Sequence, residues 1–208
     1  FGKALSMNPK EPLAYGSRAN LFGKQGKFEE GLRDYDRAIA LDPKNSPFYV
    51  NRGILKSKAK DMGGAIHDYS QAIRLDPKNT EAYLNRGLAL THQKEFEKAT
   101  RDFNRAILLD PNEADAYFYR GVVKANRGNE EGAAFDYDRA IELKPGAAEP
   151  YYYRGNVFKR KNDLDAAIRY YTLAIERNPA YLDAYEQRGG CWKSKKEEEK
   201  AKIGRAHV

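Results

Sequence analysis

The sequence of 208 residues is poor in the side chains that hold metals or form covalent cross-links. It has one cysteine, Cys191, and three histidines, His67, His92 and His207. One cysteine excludes an internal disulfide framework, and so few scattered ligands exclude a zinc site of the usual four-ligand kind. We expect Cys191 and Trp192 to pack in a core and the histidines to lie on the surface. No metal and no cofactor is expected.

Long hydrophobic runs are also missing. No apolar stretch approaches the roughly 20 residues that a membrane-spanning helix requires, and no basic segment followed by an apolar one opens the chain. We therefore expect no membrane partner for this chain. The cytoplasm is favoured as its location, although the compartment stays open.

The motifs that mark common enzymes are absent too. The sequence contains no phosphate-binding loop, no Gly-x-Ser-x-Gly elbow and no His-Glu-x-x-His. Asp34 and Asp36 superficially suggest paired carboxylates, as do Asp136 and Asp138. Residues two apart on a helix point in nearly opposite directions and do not converge on one substrate. The sequence is therefore predicted not to be an enzyme.

Charges of the two signs are interspersed. There are 37 basic and 30 acidic residues, which gives a formal net charge of +7. The densest basic stretches are residues 159–161 and 193–196, and the second runs directly into Glu197. Because phosphate tracking needs cations clustered on one face, we interpret these stretches as solvated helix faces and expect no nucleic-acid partner. Hydrophobic residues at 41% and aromatic residues at 12% exclude a disordered chain.

The chain repeats itself with a period of 34 residues. Prolines recur at Pro9, Pro43, Pro77, Pro111, Pro145 and Pro179. A first tyrosine row is Tyr15, Tyr49, Tyr83, Tyr117, Tyr151 and Tyr185, and an arginine row is Arg18, Arg52, Arg86, Arg120, Arg154 and Arg188. A second aromatic row is Tyr35, Tyr69, Phe103, Tyr137 and Tyr171, and an alanine row is Ala38, Ala72, Ala106, Ala140 and Ala174. Such a fixed period is the signature of a repeat architecture.

Each period has the pattern of two helices. In the third period, apolar and small residues recur at helical spacing from Thr80 to about Gln93 and again from Phe96 to Leu109. Gly26, Gly128 and Asn162 mark the turns between the paired helices, because these residues tolerate a left-handed helix end. The second helix stops at Asp-Pro or a variant of it, since proline does not continue a helix.

These rows resemble the tetratricopeptide repeat (TPR) family. The resemblance implies an all-α fold, an alpha-alpha superhelix or solenoid of helix-turn-helix repeats. Arginine stands where the family more often has leucine, as in a bacterial-looking subtype written Tyr-x-x-Arg-Gly. The predicted boundaries are the end of a truncated repeat at 1–11, complete repeats at 12–45, 46–79, 80–113, 114–147 and 148–181, and the start of a truncated repeat at 182–202.

The arginine row is expected to form ion pairs with the second helices. Four complete repeats offer an aspartate at matching height, within the same repeat or a neighbour: Asp34, Asp68, Asp102 and Asp136. In the fifth repeat Tyr170 takes that place, so Arg154 is expected to be freer than the others.

Two faces of the first helices are assigned by the repeat. Their Tyr83, Gly87 and Leu90 stripe is predicted to be core and to face the second helix. The opposite stripe, which includes Gly16, Val50 and Val122, is predicted to line the inner surface of the superhelix. On this surface we predict a peptide-binding groove formed by Asn20, Asn51, Asn85, Phe118, Tyr119, Tyr152, Tyr153, Asn156, Lys159 and Arg160. A simpler alternative is that the four aromatic rings only pack against each other.

The resemblance implies a binding module that captures a peptide segment or a partner domain. The carboxylate clamp of chaperone-adaptor members is not expected, because Gly16, Glu81 and Asn85 stand where cations are needed. Two alternatives are kept. The asparagine row looks like the rows that cradle peptides in the substrate-recruiting part of a larger enzyme, for example a glycosyltransferase. A self-assembling structural scaffold is the other alternative.

We expect the sequence to be truncated at its start and to carry residues at its end that are not part of the repeat. The chain begins inside what corresponds to a second helix and is expected to be a fragment. Residues 203–208 depart from every repeat, and Arg205 stands where an aromatic residue packs in the other repeats. These six residues are the translation of ATC GGA AGA GCA CAC GTC. That nucleotide sequence resembles the start of a common sequencing adapter. We expect this segment to be an artefact of read-through.

Overall fold

The computed structural model describes the backbone of residues 9–206 and the side chains of residues 9–197. Most of the predicted repeat end at 1–11, the side chains of the predicted adapter segment at 203–208, and His207 lie outside the described residues. Within them there are eleven α-helices and no strand: α1 (Pro12–Lys24), α2 (Phe28–Leu41), α3 (Ser46–Lys58), α4 (Met62–Leu75), α5 (Thr80–His92), α6 (Phe96–Leu109), α7 (Ala114–Asn126), α8 (Glu130–Leu143), α9 (Ala148–Arg160), α10 (Leu164–Arg177) and α11 (Leu182–Ala206).

The helices group into two compact units. The first extends to Pro111 and contains α1 to α6, and the second starts at Asn112 and contains α7 to α11. In each unit a first helix packs against the second helix that follows it, and α11 packs against α10. The predicted all-α class of helix-turn-helix repeats is confirmed.

The turn inside each repeat contains one residue in the left-handed region. Gly26 has a φ of 75°, Gly128 of 78° and Asn162 of 59°, as predicted. The matching positions in the second and third repeats are occupied by Lys60, with a φ of 67°, and Lys94, with a φ of 60°. All five turns therefore have the same left-handed residue, although lysine does not favour that conformation. Because lysine is not typical of such turns, the sequence did not mark the turns at Lys60 and Lys94.

The core is centred on the aromatic row of the second helices. Its five rings, which belong to Tyr35, Tyr69, Phe103, Tyr137 and Tyr171, are at most 2% exposed. Close approach requires glycine on the first helix, because a Cβ on Gly87 would lie 2.7 Å from Cε1 of Phe103. Gly121 has the same relation to Tyr137. Gly87 therefore faces the second helix, as predicted.

The tyrosine row of the first helices is less buried than predicted. Tyr49 and Tyr83 are only partly buried, and Tyr185 is 42% exposed. The reason is that these rings lie at the edge of the helix pair, where their hydroxyl groups reach the preceding loop. Tyr49 donates a hydrogen bond to the carbonyl oxygen of Pro43 at 3.1 Å, and Tyr15 donates to that of Pro9 at 3.3 Å, whereas Tyr151 is buried as predicted.

Several residues differ from the prediction in whether they are buried or exposed. Gly16, Val50 and Phe118, predicted to line an open surface, are buried because they pack against neighbouring helices of the same unit. Cys191 is buried beside Tyr171, as predicted. Trp192 is 55% exposed, so its predicted core position is wrong. Adjacent residues on a helix point about 100° apart, and only Cys191 faces α10.

Candidate functional site

The predicted ion pairs within repeats are present in all four cases. Each arginine donates two hydrogen bonds to one carboxylate in a bidentate arrangement. The carboxylates are nearly inaccessible, and that of Asp68 is fully buried. The pairs are Arg18 with Asp34 at 2.6 and 2.7 Å, Arg52 with Asp68 at 2.8 and 2.7 Å, Arg86 with Asp102 at 2.7 and 2.8 Å, and Arg120 with Asp136 at 2.9 and 2.7 Å. These guanidinium groups are occupied by the fold and are not candidates for ligand binding.

The arginine row also contacts the preceding repeat, which the sequence interpretation missed. Each such partner lies 16 residues before its arginine, on a second helix. Arg154 is held in this way by Asp138 at 2.8 Å and lies 4.2 Å from the ring of Phe158. The expectation that Arg154 is freer is therefore wrong. The other contacts are Arg52 with Asp36 at 2.7 Å, Arg86 with Ser70 at 3.0 Å and Arg188 with Thr172 at 3.1 Å.

Two of the four predicted asparagines form hydrogen bonds with core tyrosines. Asn20 accepts a hydrogen bond from the hydroxyl of Tyr35, and Asn156 accepts one from Tyr171 at 2.7 Å. Their carboxamide oxygens therefore accept hydrogen bonds from buried core tyrosines. Asn85 is partly buried on α5. In the first unit a pocket of about 180 Å³ is lined by Asn20, Gly23, Lys24, Tyr35, Asn51, Ile54, Leu55 and Lys58.

The second unit brings the four predicted aromatic residues together. We call Phe118, Tyr119, Tyr152 and Tyr153 the aromatic face. The ring of Phe118 lies 4.9 Å from that of Tyr119 and 5.3 Å from that of Tyr153. The rings of Tyr152 and Tyr153 are 5.4 Å apart. Phe118 is buried at 9% exposure, whereas the three tyrosines are partly exposed.

The aromatic face extends to a residue that periodicity did not mark. The ring of Tyr181 lies 5.0 Å from that of Tyr152, and Tyr181 belongs to neither tyrosine row. Tyr152 also packs on the core ring of Tyr171 at 5.8 Å. The rings of the aromatic face thus pack against each other, and its three tyrosines remain partly exposed at the surface.

The two cations at the edge of the predicted groove have partners. Arg160 forms an ion pair with Glu130 at 2.6 Å. Lys159 donates a hydrogen bond to the side-chain oxygen of Gln187 at 2.7 Å. The charge of Arg160 is therefore balanced by a carboxylate, whereas Lys159 is paired with a neutral group.

A pocket of about 190 Å³ opens at the start of α7 and α9. It is bounded by apolar side chains, two aromatic rings, two carboxylates and one ammonium group. The ammonium of Lys144 lies 3.3 Å from the carboxylate of Asp115. Its lining residues are Ala114, Asp115, Phe118, Tyr119, Ala140, Lys144, Ala147, Glu149 and Pro150. The predicted groove included the two rings but neither of the two carboxylates.

Sequence comparison identifies the family of the chain. The family described as "Tetratricopeptide repeat" matches residues 12–45, 80–113 and 148–181, and the family described as "TPR repeat" matches residues 58–93. Together these segments cover more than half of the sequence. The chain belongs to the tetratricopeptide repeat family. Comparison with curated protein sequences gave no match.

Solved TPR structures share the fold. The crystal structure of YrrB, described as a TPR protein with an unusual peptide-binding site, is 24% identical with a TM-score of 0.68, covering 90% of this chain and 97% of YrrB. A crystal structure of MamA is 27% identical with a TM-score of 0.70, covering 79% of this chain and 96% of MamA. The APC/C hetero-tetramer Cut9–Hcn1 is 17% identical with a TM-score of 0.80, covering 94% of this chain and 39% of the other.

The potential metal ligands in the described part of this TPR chain are scattered. That part contains no cluster of three or more His, Cys, Asp or Glu side chains arranged to hold a metal ion. Its histidines, His67 and His92, are exposed, as predicted. Among the described helices, none combines the length and the hydrophobicity needed to cross a bilayer.

Proposed function

We propose that this TPR domain is a protein interaction scaffold that binds an extended segment of a partner on the aromatic face of its second unit. The observation that carries the proposal is the group of partly exposed tyrosines, Tyr119, Tyr152 and Tyr153, around the buried ring of Phe118. The fold does not demand aromatic rings here. At the positions that match Tyr119, the first unit has Ser17, Asn51 and Asn85.

Tyrosine suits this role physically. Its ring offers a large apolar contact area while its hydroxyl forms hydrogen bonds, and only two side-chain torsions are lost on binding. Tyrosines are accordingly enriched among residues that dominate binding energy. A segment of this kind is expected to bind with micromolar affinity, about −8 kcal/mol.

Two further observations support the proposal. TPR domains typically act as protein interaction scaffolds, and YrrB is described as having a peptide-binding site. We extend peptide binding to this chain as part of the proposal, together with the Tyr-x-x-Arg-Gly subtype. Within the first unit, Asn51 on α3 and Asn85 on α5 are partly buried polar groups.

The test is selection followed by substitution. Random dodecapeptides displayed on phage are selected against the purified chain, and the affinity of one synthesised peptide is measured by fluorescence anisotropy. The double variant Tyr119→Ala and Tyr153→Ala is expected to lose at least tenfold in affinity, with helicity by circular dichroism unchanged.

Tyr49→Ala is the matched control, because it truncates a partly buried first-helix tyrosine outside the aromatic face. It is expected to bind the selected peptide as the unaltered chain does. Full affinity of the double variant, or an equal loss in the control, would contradict the proposed site.

A further inference from the structure

We propose that the pocket at the start of α7 and α9 selects a positively charged side chain, that of arginine, from the bound segment. The inference rests on the proposed function, because it names the chemistry of the ligand at one edge of the aromatic face. It commits to a basic peptide as the partner.

The walls of the pocket offer aromatic and aliphatic atoms to the stem of an arginine side chain. The buried Phe118 and the partly exposed Tyr119 line it with rings whose centres are 4.9 Å apart and whose planes are inclined by 58°. Alanines and Pro150 complete the lining, so the stem of an entering side chain contacts apolar atoms. Rings of this kind attract a cation placed over their faces through the negative charge of the π-system.

The charges at the pocket are mainly negative. Asp115 and Glu149 line it against the single ammonium group of Lys144, which is 3.3 Å from Asp115. Glu149 is exposed and forms no ion pair with any described residue. Asp183 occupies the matching place in the next period, at the start of α11. An unpaired carboxylate at the mouth of an aromatic pocket favours a cation and repels an anion.

The charges of nearby carboxylates affect the pKa values of two tyrosines in the aromatic face. Burial raises the pKa of Tyr119 above its ordinary value, the charges of Asp115 and Glu149 raise that pKa further, and the charge of Lys144 opposes the rise. Burial also raises the pKa of Tyr153, and Tyr152, Asp183 and Glu149 add to it. Tyr119 therefore lies within electrostatic range of the two carboxylates that line the pocket with it.

Arginine fits these groups better than lysine does. The planar guanidinium stacks on an aromatic ring and pairs with a carboxylate through two parallel hydrogen bonds, whereas an ammonium group is a compact, strongly hydrated charge. Two pockets of the first unit have the opposite charge balance. One is lined by Lys24 and Lys58 and by no carboxylate, and in the other Glu95 and Asp102 are outnumbered by Arg86, Lys98 and Arg101.

The experiment uses the whole chain with two small probes. Acetyl-arginine methylamide carries the guanidinium, and acetyl-citrulline methylamide replaces it with a neutral urea of nearly the same shape. Each is titrated into protein labelled with ¹³C at tyrosine, and the ring resonances are followed by NMR. The arginine probe is expected to shift the Tyr119 resonance saturably, with the citrulline probe binding at least fivefold more weakly.

Glu149→Gln removes the charge and keeps the shape, and it is expected to weaken binding of the arginine probe at least threefold. Glu131→Gln is the matched control, because Glu131 is an exposed acid in the first turn of α8. It lies about 20 Å along that helix from Lys144. This control is expected to bind the probe unchanged.

The outcomes separate this inference from the proposed function. Equal binding of the two probes, tighter binding of acetyl-glutamate methylamide, or an unaltered Glu149→Gln variant overturns the selection of arginine. If selected dodecapeptides still bind through Tyr119 and Tyr153, the proposed function stands without it. If no dodecapeptide binds while the arginine probe shifts Tyr119, the proposed function fails and the cation pocket stands.

Discussion

At the scale of single residues, the hydroxyl of Tyr137 differs from its equivalents. It is buried and has no hydrogen-bond partner among the described residues. Tyr35 and Tyr171 donate to Asn20 and Asn156, but the matching position in the fourth repeat is Val122. A buried polar group without a partner costs about 1–3 kcal/mol.

Removing this hydroxyl is therefore expected to stabilise the chain. Tyr137→Phe is predicted to raise the free energy of unfolding by about 1 kcal/mol, because it deletes an unsatisfied polar atom. Tyr171→Phe is the matched change, and it is predicted to lower that free energy by about 1 kcal/mol because Asn156 loses its donor. Melting curves by circular dichroism measure both, and equal shifts of Tm would contradict the prediction.

At the scale of helices, the arginine row connects elements in two directions. Arg86 on α5 binds Asp102 on α6 and also Ser70 on α4. Hydrogen bonding to Asp102 raises the pKa of the Arg86 guanidinium, while burial opposes this rise. One side chain thus ties its own second helix to that of the preceding repeat.

The prediction at this scale compares two cations. Arg86→Ala is expected to lower the free energy of unfolding by about 3 kcal/mol, because it strands the buried carboxylate of Asp102. Lys58→Ala removes an exposed lysine and is expected to change it by less than about 0.5 kcal/mol.

Urea unfolding followed by circular dichroism measures the difference. Adding Asp102→Leu to Arg86→Ala is expected to recover part of the loss, since an apolar side chain needs no ion partner. Equal midpoints for Arg86→Ala and Lys58→Ala would disprove the role of the ion pair.

At the scale of the whole molecule, both units depend on buried neutral tyrosines. Burial raises the pKa of Tyr69 to about 12, and it raises the pKa of Tyr35, Tyr137 and Tyr171 as well. The folded state therefore holds these protons more tightly than the unfolded state, whose tyrosines titrate near 10. The stabilisation is complete below pH 10 and is lost as the pH rises above it, by about 1.4 kcal/mol per pH unit for each such group.

We expect helicity to be constant up to about pH 10 and to fall cooperatively at higher pH. Tyrosinate absorbance and circular dichroism, recorded together, measure the two events. Tyr69→Phe is expected to shift the loss to higher pH, and Phe103 at the matching position shows that the core accommodates this ring. Ionisation of the buried tyrosines without loss of helicity would contradict the prediction.

Contacts within a repeat were predictable from the sequence. The period places Arg52 and Asp68 on paired helices at matching height, and the pair forms as expected. The helix bounds in the third repeat, Thr80–His92 and Phe96–Leu109, also follow from the apolar spacing. A helix pair with a short turn has little freedom, so residue spacing alone specifies which side chains meet.

Contacts between repeats were decided by the tertiary structure. The pairing of Arg154 with Asp138, the burial of Val50 and Phe118, and the joining of Glu149 to the rings of Phe118 and Tyr119 depend on how successive helix pairs pack. The left-handed Lys94, which lies inside a repeat, was also decided by tertiary packing, because its two packed helices impose that turn on a residue that does not favour it. The 34-residue period alone was enough to specify the repeat, its helices and its internal ion pairs. Packing between repeats determined which side chains remain exposed to meet a ligand, since the angle between neighbouring helices is set by whole surfaces in contact and not by the spacing within one repeat.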